Sequence, residues 1–286
     1  MIRNEPERQY TTLFHELMHF LDYSFNGEVV PVYLLDGRHL TPGDTAQLSN
    51  EEYLNILSCK ETNFVTEGGA ELMTAKYYSG APDTYSDCVI FLTGVEYIMG
   101  GDFFDDLFLR WDSDAVFYEL FEEAGYSYEK YNLGAATLNN LSRPLIFTEP
   151  ENTVAPEDML IDLYEYKIGD GWREDGYFLY ILKCLGGIEL GVWERSERAD
   201  ILKTVEFTWD SYTAFEERLL GGIAEKPELS RKPPFPFIRD GRPLLGVCAF
   251  LTDPDTGLKY KGGITFDYDF ETEKLNSYSV FPFNLS

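Results

Sequence analysis

From Glu7 to Ser24 the chain reads ERQYTTLFHELMHFLDYS, eighteen residues with no glycine or proline. Tyr10, Leu13, Leu17 and Leu21 recur in it at helical spacing, which predicts one amphipathic helix. Residues four apart on a helix lie one above the other, so His15 and His19 can bring both imidazoles to a single point while Glu16 stands one step round. His15-Glu16-Leu17-Met18-His19 is thus an H-E-x-x-H motif, with two nitrogen donors for one ion and a carboxylate able to reach a water on that ion. The whole chain of 286 residues contains three histidines, and two of them fall here. The third, His39, belongs to the polar stretch Asp36-Gly37-Arg38-His39 and is expected to be a surface loop residue.

Zinc in a hydrolytic site takes three protein ligands and keeps a fourth position open. A metzincin would draw the third from the same segment, with a glycine at position 22 and a histidine at position 25; the chain has Asp22 and Phe25. The other solution is a glutamate on a later helix. Thr66-Glu67-Gly68-Gly69-Ala70-Glu71 lies in such a segment, Phe64 to Tyr78, which stops at Gly80 before Pro82. This run resembles the N-E-G-x-A-E element of gluzincin peptidases, such as the aminopeptidase N-like family. The resemblance implies that Glu67 is the third metal ligand and that Glu71, one turn on, hydrogen-bonds a ligand histidine. A carboxylate on the far ring nitrogen fixes the tautomer and strengthens the ligand. The likeness covers two short helical segments only. Thr66 stands where that element has asparagine, and Glu67 follows His19 by 48 positions, a longer spacing than aminopeptidases use. The metal chemistry carries over; the aminopeptidase specificity does not.

The implied activity is that of a zinc-dependent endopeptidase or oligopeptidase holding one zinc ion. The ion lowers the pKa of its water toward ~7, and Glu16 acts as general base, taking a proton and passing it to the leaving amine. A further donor to the oxyanion is expected. Tyr23, Tyr77, Tyr78, Tyr126, Tyr128 and Tyr131 are all placed to serve, and the sequence does not choose among them. A second reading keeps the fold without useful turnover and makes the chain a peptide- or surface-binding module. Its surface would be the aromatics Phe235, Phe237, Phe266, Tyr268, Phe270, Tyr278, Phe281 and Phe283. The alternation at 266, 268 and 270 favours the buried face of an antiparallel strand instead. The presence of Glu16 favours the enzyme, because a purely structural zinc site has no use for that carboxylate.

Charge narrows the partners. Asp and Glu number 50 against 23 Lys and Arg, a formal net charge of −27. Such a surface repels phosphate backbones and anionic lipid, so a peptide or protein substrate is expected and nucleic acid is not. No run approaches the ~20 apolar residues of a membrane span, and Met1 to Pro6 has neither an apolar core nor a cleavage site. Cys59, Cys88, Cys184 and Cys248 are scattered without a Cys-x-x-Cys pair and are expected to be buried or partly buried thiols.

Elsewhere the sequence predicts a short edge strand from Glu28 to Leu35 and a helix from Ser49 through Leu57. Further helices are expected over Asp87 to Tyr97, Phe103 to Ala124, Met159 to Tyr166, Tyr177 to Leu185, Ala199 to Phe207 and Tyr212 to Leu220. Arg231 to Phe237 (RKPPFPF) reads as a stiff connection. Three strands follow at Leu244 to Leu251, Tyr260 to Tyr268 and Ser277 to Phe283. Together with the resemblance this implies an α+β chain: a mainly helical, zincin-like catalytic core and a small C-terminal antiparallel sheet. Residues 1–140 form the metal-binding region, 141–230 a helical region completing the core, and 231–286 the proline-rich connection and β meander.

In zincin peptidases a sheet precedes the motif helix, and its edge strand pairs with the substrate. Only fourteen residues precede His15, and RNEPER is too polar and short to supply it. The sheet is therefore expected upstream of Met1; the strand at Glu28 to Leu35 and the terminal strands are the other sources. An upstream extension would also accommodate an export signal, placing the protein outside the cytoplasm; a chain starting at Met1 would be cytoplasmic.

Overall fold

The computed structural model describes residues 12–19, 32–33, 39–40, 63–79, 85–101, 103–108, 113–142, 153–186, 196–204, 228–229, 234–252, 257 and 259–282. Residues 12–19 form helix α1. A two-residue ladder pairs β1 (Val32–Tyr33) antiparallel with β2 (His39–Leu40). Next come α2 (Asn63–Thr74), a π-helical turn at Ala75–Ser79, α3 (Ser86–Met99), α4 (Phe103–Phe108), α5 (Ser113–Glu123) and α6 (Tyr128–Ser142). They are followed by α7 (Pro156–Lys167), a 3-10 turn at Gly171–Arg173, α8 (Gly176–Gly186) and α9 (Ala199–Thr204). The chain then changes to strands: β3 (Glu228–Leu229), β4 (Phe235–Arg239), β5 (Arg242–Thr252), β6 (Lys259–Asp269) and β7 (Lys274–Pro282). The architecture is α+β, mainly helical with a C-terminal antiparallel sheet.

Helix α3, SDCVIFLTGVEYIM, is apolar on nearly every side, as suits a helix enclosed by others. Its residues Cys88 to Glu96 and Ile98 are buried, and α2, α6, α7, α8 and β4 all pack on it. Two glycines permit the closest approaches. A Cβ on Gly68 of α2 would stand 2.7 Å from Cβ of Cys88, and one on Gly94 would meet the Leu160 side chain of α7. Buried apolar residues form one cluster from Met18 through α2, α3, α7 and α8 to Phe266 and Tyr268. No helix among the described residues is long and apolar enough to cross a membrane.

In the sheet β5, β6 and β7 pair in succession, and β3 and β4 lie along the same outer edge of β5. Phe237 and Phe266 are fully buried and Phe235 and Tyr268 nearly so. Phe270 packs against Tyr177 and Tyr180 of α8. The Tyr177 hydroxyl lies 3.0 Å from the carbonyl of Phe237 and 3.1 Å from that of Leu244, joining α8 to both strands. Phe235, Phe237, Phe266 and Tyr268 are core, Phe270 is partly buried against it, and Tyr278 is exposed.

Several expectations are corrected. His39 is in strand β2, paired with Tyr33, and not in a loop. The RKPPFPF run becomes strand β4 from Phe235; Pro236 is tolerated since β4 pairs with β5 alone among the described strands. The stretch from Phe103 is two helices, the second starting at Ser113 in Asp112-Ser113-Asp114, a capping-type sequence. Helix α6 had no sequence expectation, since Asn132, Gly134, Asn139 and Asn140 all lower helical propensity. The helices expected at Ser49 to Leu57 and Tyr212 to Leu220 lie outside the described residues.

Candidate metal centre

Helix α1 turns its imidazole face inward. His15 and Met18 are buried, with Phe14 and His19 half-buried, whereas Thr12, Leu13, Glu16 and Leu17 are exposed, Leu13 by 64%. The Leu13 and Leu17 stripe read from the sequence is therefore not the inward face. What overrides it is α2: Glu67 and Glu71 receive the histidines, and Tyr78, in the π turn that ends α2, stacks on Phe14 with ring centroids 5.2 Å apart.

Four side chains from the two helices converge. Nε2 of His15 lies 3.0 Å from Nε2 of His19 and 3.3 Å from Oε2 of Glu67, and Nε2 of His19 lies 3.4 Å from the same oxygen. On its far side, Nδ1 of His15 lies 3.0 Å from Oε2 of Glu71. A carboxylate only accepts, so the Glu71 contact assigns the hydrogen of neutral His15 to Nδ1 and leaves a lone pair on Nε2. That lone pair then faces a second carboxylate and a second imidazole. A hydrogen on Nε2 of His19, a proton on His15 or a metal ion can each satisfy three electron-rich atoms at these separations.

The two carboxylates also act on the ionisation of His15. Burial works against a charged His15, but the bonds to Glu67 and Glu71 outweigh it and raise its pKa from 6.5 to about 9. Hydrogen bonds from His15 and then His19 hold Glu67 far below the usual carboxylate range.

A metal ion fits the donor set. Bonds of about 2.0–2.1 Å in a tetrahedral arrangement put ligand atoms about 3.3–3.4 Å apart. The three edges here are 3.0, 3.3 and 3.4 Å, and His15, His19 and Glu67 are the one such group found among the described residues. Two imidazoles and one carboxylate also match the ligand types of hydrolytic zinc sites. Glu16, on the next position of α1, is exposed.

Other residues around the centre have no sequence signature. Tyr85 lays its ring parallel to that of His15, with centroids 6.4 Å apart and planes 13° apart. Lys76, in the π turn, is fully buried with Nζ 2.9 Å from Glu96 Oε1 and 2.5 Å from Asp105 Oδ1. Arg239 of β4 donates to the Lys76 carbonyl. This cluster fixes the turn that carries Tyr78. Of the tyrosines considered from the sequence, Tyr77 donates to Asp105, Tyr126 is buried and donates to Asp162 at 2.7 Å, and Tyr131 is buried. Tyr23 lies outside the described residues. Cys88 and Cys184 are buried free thiols.

Scans against protein-family models, curated proteins and solved structures return no match to this chain.

Proposed function

We propose that this chain is a zinc-dependent peptidase whose helical core is zincin-like, with His15, His19 and Glu67 as metal ligands and Glu16 as general base. The observation that carries this reading is the convergence of three donor atoms from α1 and α2 at 3.0, 3.3 and 3.4 Å, the last two being the edge lengths of a tetrahedral zinc site.

A zinc ion held there supplies a Lewis acid for a peptide carbonyl and lowers the pKa of water toward ~7. The rest is the work of the side chains. Glu71 keeps the hydrogen of His15 on Nδ1, so that Nε2 offers its lone pair to the ion. Glu67 adds one negative charge to two neutral imidazoles, leaving a net positive centre that attracts a carbonyl oxygen. Glu16, exposed beside His15 in the chain, takes a proton from water and delivers it to the leaving amine.

The binding-module reading draws less support. Of the aromatics that would form its surface, Phe235, Phe237, Phe266 and Tyr268 are packed in the core and Phe270 lies partly buried against it, while Tyr278 is exposed.

The test is elemental analysis of the purified chain together with cleavage of an unstructured protein, with and without a chelator. One zinc per chain and chelator-sensitive cleavage are expected. A protein free of metal after zinc loading, or cleavage indifferent to the chelator, would sink the proposal.

A further inference from the structure

Tyr85 sits immediately before α3 with φ 51° and ψ 30°, in the left-handed region. Only three non-glycine residues among those described have positive φ. The other two, Asp240 and Glu273, lie in the turns between β4 and β5 and between β6 and β7, where such a conformation is ordinary. Tyrosine has no short polar side chain to ease that backbone. It is also a poor helix-capping residue: Tyr85 makes no side-chain hydrogen bond to the first turn of α3, where Asn, Asp or Ser would. Two local preferences are thus broken at one position. Such a residue persists when a tertiary contact compensates, and these positions concentrate at functional sites.

One tertiary contact of the Tyr85 ring is with His15. Glu71 fixes one atom of that imidazole, Nδ1, at 3.0 Å. With Glu67 3.3 Å from the opposite nitrogen, the ring keeps only rotation about the line through its two nitrogens, and that rotation re-aims the in-plane lone pair of Nε2. A second ring parallel to it, at 13° and 6.4 Å, removes that freedom. His19 meets the same imidazole edge-on, at 83° and 4.7 Å, and so does not restrain its plane in the same way.

We propose that Tyr85 is a positioning residue of the metal centre: the left-handed turn at the head of α3 delivers its ring against His15 and sets the plane of the ligand. The proposal rests on His15 being a metal ligand, and the experiment separates the two ideas.

The full-length chain is titrated with cobalt(II), whose visible d–d absorption reports ligand geometry, and its thermal unfolding is followed metal-free. Wild-type protein binding one cobalt ion is the premise; no binding by the wild type overturns the metal reading itself. Y85N places a residue suited both to left-handed backbone and to capping. It is expected to unfold at a higher temperature than wild type, yet to bind cobalt about tenfold more weakly with an altered d–d band. Y85F, which keeps the ring, is expected to match wild type in affinity and spectrum. Y85L keeps apolar volume without a ring and is expected to weaken cobalt as Y85N does, which covers the case of Y85N not folding. Wild-type affinity and spectrum in the ringless variants would overturn the positioning role alone, as would a Y85F protein as impaired as they are.

Discussion

Nδ1 of His15 lies 3.0 Å from Oε2 of Glu71, and both residues are buried, Glu71 to 3% exposure. Glu67, one turn earlier on α2, approaches the opposite nitrogen of the same ring at 3.3 Å. The two glutamates thus grip one imidazole from its two ends, and their roles are separable. Glu67→Ala is expected to lose stoichiometric zinc, since it removes a direct donor. Glu71→Gln, which retains an acceptor but no charge, is expected to keep zinc at an affinity lowered ~10–100-fold. Metal analysis after dialysis distinguishes them; zinc retained in the first and absent from the second would reverse the assignment.

Glu16 is exposed and its truncation leaves no buried hole. Glu16→Gln is expected to preserve zinc content and melting temperature while peptide hydrolysis falls by about 10²–10⁴-fold, because the amide cannot accept the proton. Wild-type turnover in this variant would remove Glu16 from the mechanism.

Gly68 lies between the two glutamates and faces Cys88 of α3, whose Cβ would stand 2.7 Å from a new methyl group. Since that neighbour is a Cβ and not the end of a flexible chain, Gly68→Ala forces α2 outward. Destabilisation of about 1–3 kcal/mol is expected from such overpacking, read as a lower denaturant midpoint with an unchanged slope. An unchanged midpoint would mean that the α2–α3 contact has slack.

Burial pushes the thiol of Cys184 up from 9 to about 12. A group whose folded pKa is raised contributes stability that is fully present below its unfolded value, here pH 9, and lost as pH rises toward 12. Denaturation midpoints are therefore expected to fall above pH 9, less steeply in Cys184→Ala. At pH 8 the thiol is expected to resist alkylation in the native protein and to react on unfolding; rapid native labelling would contradict its burial.

His15 and His19 could be named from the sequence because helical spacing is itself a geometric statement, four positions apart meaning one face, whereas Glu67 and Glu71 were named from the resemblance of their run to the gluzincin element. Each pair needs only its own helix to be straight, and the structure brings the two pairs together. Tyr85, Phe14 and Tyr78 could not be named, for their contacts depend on how α3 and the π turn approach α1. The inward face of α1 was misread for a related reason. Leu13 and Leu17 outweigh the histidines on any hydropathy scale, yet the carboxylates of α2 draw the polar face inside. The three long strands were legible from alternation, whereas Pro236 concealed β4.

Lys76 has no exposed side-chain surface, held between Glu96 and Asp105. Trypsin must draw a lysine side chain fully into its own specificity pocket, so the bond after Lys76 is closed to it while α3 and α4 stay in place. Cleavage there becomes a clock for opening of the helical body, one whose ticking can be compared with and without metal.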